Sequence, residues 1–298
     1  MPVLDFLIES PHHLVAGVTT PDRPRGRGLQ VLPNPVKQRC HEKGIPVVSP
    51  ESLRFPESAS GIQELCPDIF VVASYGKLIP ESWLKIPCKV SFNVHPSLLP
   101  KYRGAAPIPW QILDGEKEIG VSIAEVTKDL DAGDIFEQIR IPMEKNDTTE
   151  SLTLKLSELG SQALEKALKK LEQGKLQRMP QDSSQSSYAR KLNKEDGKLN
   201  LSEPAERLEW KVRAFDPWPG SFIHYKGAPL RIIEAKQTPS SETENQPGTL
   251  LGIAAEGDLR VGTGRGTLKI LKVQLPGKRV VSGREFANGE HLKPGFIF

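Results

Sequence analysis

The sequence predicts an α/β domain with a doubly wound, mostly parallel sheet, followed by a small all-β barrel. Residues 68–74 contain the run Ile69-Phe70-Val71-Val72, continuous rather than alternating, as in a strand covered on both faces of a parallel sheet. Up to about residue 174, helical periodicity and short β-like runs take turns, the pattern of βα units. Beyond residue 220 the runs are short, β-like and separated by Gly and Pro, which suits a small barrel. A length of 298 residues leaves room for two such domains.

Taken in order, residues 3–9 predict a helix with Val3, Leu4, Phe6 and Leu7 on one face, and 14–18 a strand. Residues 19–37 are rich in Pro, Gly and Arg and predict a loop. A helix over 35–43, a strand over 45–48 and a helix over 56–66 lead to the 68–74 strand and a turn at Tyr75-Gly76-Lys77. Val90, Phe92 and Val94 alternate with polar neighbours up to Pro96, giving a strand over 90–95. A helix over 107–113 and strands over 119–126 and 135–141 follow. Leu152, Leu156, Leu159, Ala163, Ala167 and Leu171 mark one face of a long helix that Gly174 ends. The polar stretch 179–197 predicts a linker, dividing the chain into domains at 1–178 and 198–298. Phe215, Trp218 and Phe222 are expected to pack at the barrel entrance, the alternative being that they stack on bases.

Composition narrows the function classes. No apolar run approaches the roughly 20 residues of a membrane span, and no secretory signal is visible. Cys40, Cys66 and Cys88 fit no zinc spacing and read as reduced thiols, so a cytoplasmic protein without a metal is expected. The net charge of +3 is unevenly spread: residues 259–298 hold eight Lys or Arg against two Glu. Such basic patches suit a polyanionic partner.

Asn93 and His95 stand two apart at the carboxyl end of a strand and share a face. That end is where open α/β sheets bind ligands. An amide donor beside an imidazole suits polarising a carbonyl and moving a proton. Alone, the pair suits a capped strand end and a satisfied turn better. It is followed by Pro96-Ser97-Leu98-Leu99-Pro100, by Arg103-Gly104-Ala105-Ala106-Pro107 and, further on, by Leu130-Asp131-Ala132-Gly133-Asp134.

Together, NVHPSLLPKYRGAAPI and LDAGDI resemble the folate-dependent formyltransferases, and RGAAPI most resembles their methionyl-tRNA branch. The resemblance implies a Rossmann-like catalytic domain and an OB-like C-terminal barrel. It implies transfer of a formyl group from 10-formyltetrahydrofolate to the α-amino group of initiator methionyl-tRNA, by a monomer without metal or membrane. Asn93, His95 and Asp131 would be the catalytic trio, with Asp131 holding the imidazole and raising its pKa. Ser97, Leu98, Leu99, Pro100, Tyr75 and Gly76 would line the folate site. Arg23, Arg25 and Arg27 in the 19–37 stretch, with Lys278 and Arg279 in the barrel, would meet tRNA phosphates. Competing expectations are another folate formyltransferase, a formyl-folate hydrolase or an inactive RNA-binding remnant. The family opens with a strand and a Gly-Thr-Pro turn that this sequence lacks. Unpaired edges are therefore expected inside the sheet, with little cover over the 3–9 helix.

Overall fold

The computed structural model describes residues 1–25, 30–32, 34–55, 57–238, 246–254 and 257–298. The chain divides into two compact units: 1–107, 118–142 and 154–189 form the first, and 108–117, 143–153 and 190–298 the second.

The first unit begins with α1 (Pro2–Glu9), β1 (Gly17–Val18), the hairpin β2 (Arg23–Arg25) and β3 (Gln30–Leu32), and α2 (Pro35–Glu42). Part of the stretch predicted as loop is thus a hairpin, while Arg27 lies outside the described residues. Asn34 starts α2 by accepting from Val36 N at 2.9 Å, with Pro35 supplying a helical φ at the first position. Next come β4 (Val47–Val48), α3 (Glu57–Gln63), β5 (Ile69–Val72), the single turn α4 (Glu81–Leu84), β6 (Val90–His95) and β7 (Arg103–Gly104). After α5 (Pro107–Leu113), which leads into the second unit, β8 (Glu118–Glu125) and β9 (Ile135–Pro142) return to the first.

The sheet order is β5-β6-β8-β9. β5 and β6 are parallel, from Ile69 opposite Val90 to Val72 opposite Asn93. β8 pairs antiparallel with β6, and β9 antiparallel with β8, the latter because the connection 126–134 is too short for the crossover a parallel pair needs. Phe92, Val94, Val121 and Ile123 are buried, and Phe92 meets Phe136 edge to face at 5.2 Å. The long helix α6 (Thr149–Glu172) lies close to β6 through Gly160, where a Cβ would come within 2.7 Å of Val94 Cγ1. Only glycine permits that approach.

A separate parallel pair, β1 with β4, completes this layer. Ala16 and Val18 beside β4's Val48, and Phe70 of β5, pack on the same cluster of Leu53, Ala59, Ile62 and Trp83. Among the described residues no strand links β1 to β5, so each has a hydrogen-bonded neighbour on one side only. All of β5 is only half-buried and α1 buries no residue.

The expected linker needs correction over 179–189. Met179 exchanges two backbone hydrogen bonds of 2.9 Å with Ile135, and β10 (Tyr188–Ala189) pairs in parallel with β7. Composition gave no sign of this, because backbone pairing needs no apolar periodicity.

In the second unit, α7 (Ala205–Ala214) packs on one antiparallel sheet of β11 (Ser221–Tyr225), β12 (Ala228–Thr238), β13 (Leu250–Ile253), β14 (Leu259–Gly262), β15 (Thr267–Gln274) and β16 (Val281–Ser282). The order is β11-β12-β15-β14-β13, with β16 beside β15. Leu208 and Val212 of α7 meet Ile223, Leu230, Leu268 and Ile270 in the core, which Phe286 of α8 (Gly283–Gly289) joins. Phe215 is buried as expected, whereas Trp218 is 53% exposed.

Candidate active site

Strand β6 delivers Asn93 and His95 to its carboxyl end, and the loop between β8 and β9 brings Asp131 to them. Asn93 Nδ2 donates to Asp131 Oδ1 at 2.8 Å, and the Gly104 N–H donates to Asp131 Oδ2, also at 2.8 Å. Asp131 adopts φ 53°, left-handed backbone that an aspartate tolerates better than most residues. Gly133 lets the loop turn there, since a Cβ would lie 2.2 Å from Glu125 O. The expected trio is therefore brought together within the first unit.

The imidazole is held differently from the expectation. Its Nε2 lies 2.9 Å from Tyr102 O, and its Nδ1 lies 3.6 Å from Asp131 Oδ2, beyond hydrogen-bond reach. A carbonyl only accepts, so Nε2 carries a proton. In the neutral ring Nδ1 is then an open lone pair facing Asp131 and Asn93. Tyr102 can turn its carbonyl inward because it too is left-handed, at φ 61°, with its N–H donated to Ser187 Oγ at 2.9 Å. Burial pushes the His95 pKa down; Asp131 and the Tyr102 carbonyl push it up, but the net direction is downward. Asp131 raises it as expected, and desolvation of a ring that is 3% exposed outweighs the effect.

The loop after His95 is fixed by groups from β8 and β9. Ser122 Oγ accepts from Leu99 N at 3.0 Å and donates to Ser97 O at 2.7 Å. Gln138 Nε2 donates to Leu99 O at 2.9 Å and to Ser122 Oγ at 2.8 Å. Ser97 Oγ donates to Lys101 O at 2.7 Å. Ser97 and Leu99 are thus interior, while Leu98 and Pro100 remain half-exposed. At the end of β5, Gly76 turns with φ 74° and is exposed. Tyr75 has a buried hydroxyl without a hydrogen-bond partner, and burial raises its pKa.

Ser122, Gln138, Tyr102 and Gln181 were not singled out from the sequence. Ser122 and Gln138 sit on strands whose alternation hides a functional serine or glutamine among ordinary ones. Gln181 falls in the stretch predicted to be a linker, yet its Nε2 donates to the carbonyls of Asp131 at 2.9 Å and Gly133 at 2.7 Å.

Of the expected phosphate-binding residues, Arg23 and Arg25 lie on β2. Lys278 and Arg279 are exposed, with Arg279 Nη2 3.5 Å from Glu285. The second unit holds a further basic row: Lys269 of β15 stands directly opposite Lys236 of β12 on one side and Arg260 of β14 on the other. Their strand neighbours Ala235, Leu268, Ile270 and Val261 are buried, so the cations face outward. Like charges directly opposite each other destabilise a sheet. Among the described residues none of the three has a carboxylate partner. No group of His, Cys, Asp and Glu able to hold a metal, and no helix long and apolar enough to cross a membrane, occurs among the described residues. A cavity of about 410 Å³ lined by Lys89, Val90 and Phe136 lies at the amino end of β6, away from the trio.

Residues 3–168 match the family described as formyl transferase, and 191–291 match the formyl transferase C-terminal domain. A methionyl-tRNA formyltransferase of Geobacter metallireducens is 39% identical over 295 residues, covering 99% of this chain and 93% of its own. HypX from Aquifex aeolicus, solved with tetrahydrofolic acid, aligns over 86% of this chain and 44% of its own, with 23% identity and TM-score 0.60. An N-formyltransferase from Helicobacter canadensis, in complex with folinic acid and dTDP-3-aminofucose, has TM-score 0.65 at 19% identity, covering 92% and 94% of the two chains. These two likenesses concern the fold. Family matches over most of the chain and near-full-length relatives at about 40% identity make this chain a member of the formyl transferase family, in the branch of the methionyl-tRNA formyltransferases.

Proposed function

We propose that the chain transfers a formyl group from 10-formyltetrahydrofolate to the α-amino group of methionine carried by initiator tRNA. The observation that carries this reading is the trio: one amide, one buried imidazole and one carboxylate converge at the end of β6. The co-substrate supplies the activated formyl carbon. As the amine attacks that carbon, the formyl oxygen gathers negative charge. Asn93 Nδ2 has a second N–H beyond the one given to Asp131, and it donates to that oxygen. One such donor contributes on the order of 3 kcal/mol to the transition state. His95 Nδ1 takes the proton from the attacking nitrogen, and Asp131 stabilises the imidazolium. The carbon–nitrogen bond to folate then breaks, and the imidazolium returns the proton to the leaving nitrogen. A neutral ring at rest, favoured by burial, suits the proton-accepting step.

The folate would lie against Leu98, Pro100, Tyr75 and Gly76, with Ser97 and Leu99 shaping that wall from inside. The tRNA would meet Arg23, Arg25 and Arg27, Lys278 and Arg279, and the row Lys236–Lys269–Arg260. That outward row of like charges supports a polyanionic acceptor over an amino sugar. The test is formylation of methionyl-tRNA at equal concentrations with free methionine and an amino sugar, with folate release followed in parallel. Formyl-methionyl-tRNA as the main product supports the reading. Folate release without an acceptor, or preference for the sugar, refutes it.

A further inference from the structure

We propose that Gln181 is a positioning residue for Asp131, acting through the backbone of the loop that carries it. The inference rests on the catalytic role proposed for Asp131. Gln181 Oε1 accepts from Arg103 Nε at 3.0 Å and from Arg103 Nη2 at 2.7 Å. Its Nε2 donates to Asp131 O at 2.9 Å and to Gly133 O at 2.7 Å. All of these residues belong to the first unit.

An amide side chain has one accepting and one donating end, and a guanidinium only donates. Arg103 therefore dictates which way round the Gln181 amide lies, turning its NH2 group toward the two carbonyls. Arg103 is 5% exposed, and its guanidinium gives both of these hydrogen bonds to Gln181 while its backbone N–H donates to Ser187 O at 2.9 Å. The Asp131 carbonyl belongs to the peptide that follows the left-handed residue and the Gly133 carbonyl to the peptide two further on, so holding both fixes the chain on the carboxyl side of Asp131. With the backbone fixed, the Asp131 carboxylate reaches Asn93 Nδ2 and the Gly104 N–H. Gly104 follows Arg103 in β7, so the hydrogen bonds form a closed ring: Arg103 side chain, Gln181, Asp131 backbone, Asp131 carboxylate, Gly104 N–H. A cation three links away thereby sets the aim of a carboxylate it does not touch.

The test is a double-substitution cycle in the full chain. Gln181→Glu keeps an acceptor for Arg103 but has no N–H to give the two carbonyls. Its expected kcat is lower by about tenfold, with KM for methionyl-tRNA and for formyl-folate within about twofold of the unaltered chain. In an Asp131→Asn background the same change is expected to cost less than about twofold, because the carboxylate to be aimed is gone. Unchanged kcat in Gln181→Glu overturns the proposal, and so does an equal penalty in both backgrounds, which a structural role would give. Near-normal activity of Asp131→Asn alone refutes the role of Asp131 instead, a separate result. If Gln181→Glu melts more than about 5 °C low, the cycle is run with Gln181→Met; failure of both to fold also overturns the proposal.

Discussion

Replacing Ser122 by Ala removes one buried oxygen that serves three hydrogen bonds at the loop after His95. The hydroxyl is fully buried, accepts from Leu99 N and Gln138 Nε2, and donates to Ser97 O. Gln138 keeps its bond to Leu99 O, so it is not orphaned. The Leu99 N–H and the Ser97 carbonyl are each deprived of a partner. A buried group left unsatisfied costs about 1–3 kcal/mol, so with two such groups the closed loop is destabilised by about 2–6 kcal/mol. The loop can stay closed, lowering the unfolding free energy by that amount. It can also swing out, in which case folate must reclose it and binds more weakly, tenfold for each 1.4 kcal/mol. Either way the losses in stability and in folate affinity together come to about 2–6 kcal/mol, while tRNA affinity is unchanged. Urea unfolding and calorimetric titration with a folate analogue measure the two parts. If both stay within about 0.5 kcal/mol of the unaltered chain, the loop does not depend on Ser122 and the reasoning fails.

Three further outcomes are expected. Asn93→Ala, His95→Ala and Asp131→Ala each lower kcat by about a hundredfold or more with tRNA binding near normal, and doubles cost little more than the worst single; near-normal turnover of His95→Ala would refute the mechanism. By NMR of labelled histidine, the His95 ring titrates below its ordinary value of 6.5. Because folding depresses this pKa, the unfolded chain binds more protons around and just below pH 6.5, so stability falls as the solution is acidified through that range. Asp131→Asn, which removes a raising influence, should move the titration lower still; an upward move contradicts the charge assignment. Replacing Lys236, Lys269 and Arg260 by Ala, or Arg23, Arg25 and Arg27 by Ala, or Lys278 with Arg279, reduces the log–log salt slope of tRNA binding by about 0.7–0.9 for every phosphate that is no longer neutralised. Folate affinity is the control, and an unchanged slope in all three variants would favour a small acceptor.

The trio was legible because Asn93 and His95 share a strand whose alternation places both on one side, and because Asp131 sits in a motif long enough to carry a family resemblance. Other features could not be seen in the chain. Depression of the His95 pKa depends on how deeply β6 is covered, and no local pattern encodes depth. Gln181 works through bonds to carbonyls far along the sequence, leaving its neighbourhood polar and aperiodic. The Lys236–Lys269–Arg260 row exists only through strand register. Trp218 shows the opposite error: an aromatic among apolar neighbours suggested packing, and it faces solvent.

The second unit is built from three stretches of chain, 108–117, 143–153 and 190–298. Trp110 Nε1 donates to Arg190 O at 2.8 Å, Thr149 Oγ1 to Ala214 O at 2.7 Å, and Arg213 Nη1 to Asp147 O at 2.6 Å. During synthesis the first two stretches leave the ribosome well before the third exists, and at about 5–20 residues per second they wait several seconds for their partners. A gene fusion that transplants 190–298 alone would carry a sheet stripped of those pieces. Exchange between relatives has to move all three together. Recombination at the apparent seam after Ala189 would part Trp110, Asp147 and Thr149 from the groups they bond beyond it.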